Sequence, residues 1–143
     1  NQKQQKSWKE IEKEWQNNWI TSPNGITKEA IDWTEEFGKF LANKSEDYDK
    51  LSTNKLRKFF NHLKRMQALG FDENNKTDLY MLKAQLAYAN GRDKKKGKNE
   101  TKICHFAEIL SKAIDHVKTK EDFKNYVNIV EAIVAFHKAA ESE

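Results

Sequence analysis

Proline, cysteine, glycine and long hydrophobic runs are all scarce in this 143-residue chain. It has one Pro, one Cys and five Gly, and its longest apolar run is the five-residue stretch from Ala132 to Phe136. A single Cys excludes an internal disulfide framework and a cysteine-based metal cluster. So few Gly and Pro leave little room for the many turns of a β fold. Without a run of about 20 apolar residues, we expect no membrane span and no signal peptide. We therefore predict a soluble, cytoplasmic protein.

The composition favours one helical domain with a small core. Charged residues make up 34% of the chain and hydrophobic residues 37%, which predicts a modest core under a very polar surface. Hydrophobic residues recur at helical spacing in six segments. We therefore predict an all-α fold, a single compact helical bundle of five to six helices. We expect residues 1–25 to form an N-terminal Trp-bearing helix and turn, and residues 26–143 to form the bundle.

The helix boundaries follow from caps and turn residues. The first helix is predicted over about residues 4–19, up to a Pro-Asn-Gly turn, and the second over about residues 28–42 after Thr27 as a cap. The third is predicted from a cap at Ser52 or Thr53 to Gly70.

The last three helices are predicted in the same way. The fourth covers about residues 77–90 and ends at Gly91, and apolar residues on nearly all its sides predict a position inside the bundle. A Lys-rich loop over residues 93–99 leads to the fifth helix, and the sixth begins near Thr119 with a pattern close to a capping box.

Positive charge is concentrated in two stretches, although the net charge is only +4. Residues 50–71 hold six basic and no acidic residues, and residues 92–102 hold six basic and two acidic ones. On the third helix the cations point away from the apolar face and alternate with amides, which suits a phosphate backbone. Phe59 and Phe60 fall on the apolar face, so we assign both to the core and predict binding to the nucleic-acid backbone without sequence reading. The candidate nucleic-acid-binding residues are Lys55, Arg57, Lys58, Asn61, Lys64, Arg65, Arg92, Lys94, Lys95 and Lys96.

Residue patterns for catalysis and for metal binding are missing from the sequence. The four His residues stand without a metal-binding or nucleophilic motif, and there is no Gly-rich phosphate loop. Cys104 and His105 are adjacent, so on a helix they point about 100° apart and do not pair as nucleophile and base. We predict no catalytic residues, no metal and no cofactor.

Apolar side chains on the first and last helices could lie either in the core or at an interface with another protein. The indoles of the first helix either anchor it to the bundle or dock onto another protein, since aromatic residues are enriched in interface hot spots. On the last helix, two apolar side chains fall away from the centre of the apolar stripe. The candidate protein-interface residues are Trp8, Trp15, Trp19, Ile129 and Phe136.

Three segments, in order, resemble the small subunit of type III-A CRISPR effector (Csm) complexes. Residues 51–61 (LSTNKLRKFFN) resemble its L-T-T-x-x-I-R-K-F opening, and residues 86–92 (LAYANGR) resemble its L-A-Y-x-A-G-R helix end. Residues 123–138 are similar to its F-x-x-F-x-x-Y-F-E-A-L-V-A-Y-H-K terminus. The chain departs from the pattern at Asn90, in its long Lys-rich loop and in the Trp-bearing segment up to about Pro23.

The resemblance implies a non-catalytic subunit of an RNA-guided antiviral complex. It implies a small all-α bundle, present in several copies, that lines the channel where the guide RNA (crRNA) pairs with target RNA. The implied partners are crRNA, target RNA, the backbone and large subunits and further copies of the chain, with no membrane. Lys55, Arg57, Lys58 and Arg92 match the family's motif cations. The sequence alone leaves two alternatives, a free-standing helical nucleic-acid-binding regulator and an RNA-cleaving enzyme that uses His116 or His137.

Overall fold

A computed structural model of the chain describes residues 6–43, 53–72, 76–95 and 102–141, with side chains of the third range up to residue 88. The described residues contain six α-helices and no strand, which confirms the predicted all-α bundle. The helices are α1 (Trp8–Glu14), α2 (Lys28–Ala42), α3 (Thr53–Leu69), α4 (Lys76–Lys95), α5 (Lys102–Ile114) and α6 (Lys120–Glu141). No helix in these ranges is both long and apolar enough to cross a membrane.

Two side-chain caps and one glycine fix three of the predicted helix ends. The hydroxyl of Thr27 accepts a hydrogen bond from the Ala30 N–H at 3.1 Å and begins α2. Thr119 accepts from the Asp122 N–H at 3.1 Å and begins α6. Gly70 ends α3 with a φ of 87°, a conformation that glycine adopts without strain.

The helix of the N-terminal segment is shorter than predicted. α1 ends at Glu14 because Trp15 is extended (φ −63°, ψ 136°), and a single 3₁₀ turn follows at Asn17–Trp19. Asn residues favour such turns over helix interiors, and the Trp15 indole N–H donates to Asn17 Oδ1 at 2.8 Å. The expectation of one continuous helix over residues 4–19 is therefore wrong, and residues 4 and 5 lie outside the described residues.

Helix α6 organises the bundle because α2 and α3 both pack against it. Gly38 of α2 sits at the α2–α6 crossing, where a Cβ would lie 2.8 Å from Phe136 Cβ and 2.9 Å from the His137 backbone N. The two backbones are therefore as close as a glycine permits.

Helix α4 packs on α5 and differs from its prediction in two ways. It continues past Gly91 to Lys95, since a glycine inside a helix costs only about 1 kcal/mol. Its buried face is narrow and consists of Leu79, Leu82 and Leu86. The opposite face is exposed, at 54% for Tyr80, 53% for Met81 and 71% for Tyr88. The prediction of a helix enclosed by the bundle is therefore wrong.

One buried amide fastens the N-terminal segment to the bundle. Asn125 of α6 donates from Nδ2 to the carbonyl oxygens of Ile20 (2.9 Å) and Ser22 (3.0 Å). Ile11 and Ile20 are completely buried, and the Trp33 indole donates to the Ile11 carbonyl at 2.8 Å. The segment is thus part of the folded core.

The amide of Asn125 should be required for this attachment. We expect Asn125→Asp to lower the free energy of unfolding by about 2 kcal/mol or more, because a carboxylate would face two carbonyl oxygens and lose both donors. Urea unfolding measures the loss, and amide hydrogen exchange should accelerate in residues 17–22 before it does in α3. Asn128→Asp, a half-buried position on the same helix, is the matched control. Equal stability of the two variants would contradict this role.

Candidate nucleic-acid interface

Helix α3 presents a basic face because its apolar residues fix its rotation. Leu56, Leu63 and Met66 are buried, and residues half a turn away must then point to solvent. At the first residue of α3, the Thr53 hydroxyl donates to Glu141 Oε1 of α6 at 2.6 Å. The residues on the exposed side form what we call the α3 ridge, namely Lys55, Arg57, Lys58, Asn61, Lys64 and Arg65.

All six ridge residues are exposed. The helical wheel predicts this exposure for five of them, Arg57, Lys58, Asn61, Lys64 and Arg65. Among the described residues, Arg57, Lys58 and Arg65 form no ion pair. From Lys58 to Arg65 the ridge spans seven residues, or about 10 Å along the helix axis. Exposed cations with no internal carboxylate partner keep their charge available to an external anion.

The remaining four predicted RNA-binding residues lie at the end of α4 or beyond it. Arg92, Lys94 and Lys95 lie in the last turns of α4, but their side chains are outside the described residues. Lys96 is wholly outside them. The structure therefore shows six of the ten candidate residues, all of them exposed on α3.

Lys102, counted in the second basic stretch, is a core residue. Its Nζ donates to the Phe40 carbonyl at the end of α2 and lies 3.6 Å from the Phe40 ring centroid. Only 2% of the residue is exposed. Burial lowers the pKa of Lys102 to about 8. No pattern in the sequence separates this lysine from its exposed neighbours, because its position depends on how α5 meets α2.

The lowered pKa of Lys102 makes stability depend on pH. In the unfolded chain the amine has its ordinary pKa of 10.5, so between about pH 8 and 10.5 the unfolded state binds more protons. The free energy of unfolding should therefore rise with pH through this window, by up to about 3 kcal/mol. Below pH 8 the amine is protonated in both states and contributes no further change.

Denaturant unfolding of the wild type and of Lys102→Met between pH 7 and 9.5 measures this contribution. The wild type should gain stability relative to the variant as the pH rises, and the difference between the two cancels the titration of all other groups. A constant difference across this range would show that the amine is not desolvated.

The predicted interface residues divide into buried and half-buried groups. Trp19 and Ile129 are 5% and 1% exposed, so the interface assignment is corrected for both: their side chains pack in the chain's own core and offer no surface to a partner. Trp8, Trp15 and Phe136 are half-buried. Trp8 stacks on His105 with centroids 4.2 Å apart, and Trp15 lies 4.9 Å from Trp33. The indoles thus anchor the N-terminal segment.

The histidines are dispersed through the fold. His105 and His137 are buried, and His62 and His116 are half-buried. In the part of the chain that the structure describes, no group of three His, Cys, Asp or Glu residues could hold a metal ion. The α3 ridge thus remains the candidate nucleic-acid interface.

Comparison with protein families identifies a match over most of the chain. A family model described as Csm2 Type III-A matches residues 27–143. The match begins at the cap of α2, so the segment that carries Trp8, Trp15 and Trp19 precedes it. The comparisons with curated proteins and with solved structures gave no significant match.

Proposed function

The chain belongs to the Csm2 type III-A family and is a small subunit of a type III-A CRISPR–Cas complex, and on this premise we propose that its α3 ridge lines the channel where crRNA pairs with target RNA. The ridge would hold phosphates of one strand through Lys and Arg side chains, with Asn61 as an additional donor. Phosphate contacts of this kind position a nucleic acid without reading its sequence. We further propose that the chain acts in the cytoplasm.

The observation that carries the proposal is the exposed charge of three ridge residues, Arg57, Lys58 and Arg65. Arg57, Lys58 and Arg65 point away from the core on a helix that has no acidic residue. Exposed like charges on one face repel each other and bring no stability to the fold. A polyanion that binds there removes this repulsion.

We propose a structural role, with no catalysis by this chain. Membership in a family of small structural subunits supports this role. The protein partners would be the backbone and large subunits and further copies of the chain. Half-buried Trp8, Trp15 and Phe136 retain some exposed surface for such contacts.

Co-expression with the genomic neighbours of the gene tests this function. Affinity purification of the chain should recover the other effector subunits together with short guide RNAs. A chain that purifies alone, without RNA, and binds duplex DNA would instead be the free-standing regulator.

The enzyme alternative predicts a different result. The purified chain should then degrade RNA, and His116→Ala or His137→Ala should abolish that activity. We expect intact RNA after incubation with the wild-type chain.

A further inference from the structure

Two adjacent phenylalanines of α3 are both half-buried against the core, as the sequence predicts, but they have different neighbours. Phe59 packs edge-on against Phe106 of α5, with ring centroids 5.5 Å apart. Phe60 also packs partly against the core, but no ring–ring contact within the described residues includes it. A helix rotates by 100° per residue, so Phe60 lies about 40° from Lys64 and about 60° from Arg57. The ring therefore borders the α3 ridge.

Three different chemical groups meet at this border. Lys64 Nζ lies 5.9 Å from the centroid of the Phe60 ring, within the range of a cation–π contact. The same Nζ donates a hydrogen bond to Gln67 Oε1 at 3.1 Å. An aromatic ring, an ammonium group and an amide are thus contiguous along one edge of α3. We call Phe60, Lys64 and Gln67 the Phe60 edge.

We propose that the Phe60 edge is a binding subsite for one unpaired nucleotide, whose base stacks on the Phe60 ring while Lys64 contacts its phosphate. Aromatic rings beside a basic groove are the usual platform for single-stranded nucleic acid. The Gln67 amide is placed to hydrogen-bond the polar edge of the base. The subsite rests on the RNA-binding role proposed above and adds a preference for single strands to it.

The preference follows from the geometry of nucleic acids. In a duplex, each base is stacked between its neighbours and its edge is paired, so its face is not available to a side chain. A duplex could reach only the cations of the ridge. An unpaired nucleotide could use the ring, the ammonium group and the amide together.

The test compares three labelled RNAs in fluorescence anisotropy at low salt, with the full chain as the protein. The probes are a short oligouridine, an abasic ribose-phosphate strand of the same length and an RNA duplex. Phe60→Leu should weaken oligouridine binding about five-fold or more, the range for the loss of one stacked base. It should change binding of the abasic strand and of the duplex less than two-fold, and Phe60→Trp should retain oligouridine binding.

Two control variants separate this inference from the function on which it rests. Phe59→Leu changes a ring that contacts α5 and leaves Phe60 in place, so it should change the binding of oligouridine and of the abasic strand by the same factor. Lys58→Gln plus Arg65→Gln should lower the affinity for all three RNA probes by similar factors. Thermal unfolding of each variant confirms that it is folded.

The outcomes are distinct. Equal effects of Phe60→Leu on oligouridine and on the abasic strand would overturn the subsite alone, as would a wild-type chain that does not bind oligouridine at low salt. If the Lys58 and Arg65 double variant binds all three probes normally, the ridge itself is not an RNA-binding surface, and the proposed function fails.

Discussion

Lys58→Glu plus Arg65→Glu is expected to weaken binding of target RNA by the assembled complex about 100-fold. Each substitution replaces a phosphate-binding cation by a carboxylate that repels the phosphate. A 100-fold lower affinity corresponds to a loss of roughly 2.7 kcal/mol of binding free energy. Because both side chains are exposed and point away from the core, the melting temperature of the chain should not change. Target-RNA affinity of the purified complex, measured at physiological salt, gives the result.

The matched control is Lys9→Glu plus Lys13→Glu. These lysines are also exposed and the change in net charge is the same, but they belong to α1, which packs on α2. This variant should bind target RNA like the wild type. Binding by the ridge variant should also depend less on salt. The negative slope of log affinity against log salt should become shallower by roughly 0.7 for each lost phosphate contact. Normal binding by the ridge variant would contradict the assignment of the ridge.

Gly38→Ala should destabilise the chain, although the same change in an uncrowded helix stabilises it by about 1 kcal/mol. The new Cβ would lie 2.8 Å from Phe136 Cβ and 3.1 Å from the Ile133 carbonyl oxygen, so α2 and α6 must move apart. We expect the free energy of unfolding to fall by about 2 kcal/mol for Gly38→Ala and by about 4 kcal/mol for Gly38→Leu.

Urea unfolding measures both values. Lys124→Ala, an exposed position on α6, should stay within about 0.5 kcal/mol of the wild type. A more stable Gly38→Ala variant would mean that the two helices do not cross as closely as described.

Local signals predicted the ends of several helices well. Thr27, Gly70 and Thr119 act through their own hydrogen bonds and backbone conformation, which depend on the adjacent residues alone. The rotation of α3 was also predictable, since Leu56 and Leu63 define a single apolar direction. Most of the α3 ridge could therefore be placed on one face from the sequence.

Features that depend on contacts between distant segments could not be predicted. The break after Glu14 serves the packing of Trp15 against Trp33, and the burial of Lys102 depends on the meeting of α5 with the end of α2. Phe59 and Phe60 are equivalent by residue type, and only the position of α5 separates them. Gly38 carries no local signal, because its importance comes from the backbone of α6.

Mapping of RNA–protein crosslinks in the assembled complex tests the central claim most directly. Target RNA that contains photoreactive uridines would be bound to the purified complex and irradiated, and the crosslinked peptides of this chain would be identified by mass spectrometry. We predict crosslinks in peptides that span Lys55 to Arg65 of α3. Crosslinks confined to α1 and α2, or to the other subunits alone, would contradict the proposal that the α3 ridge lines the RNA channel.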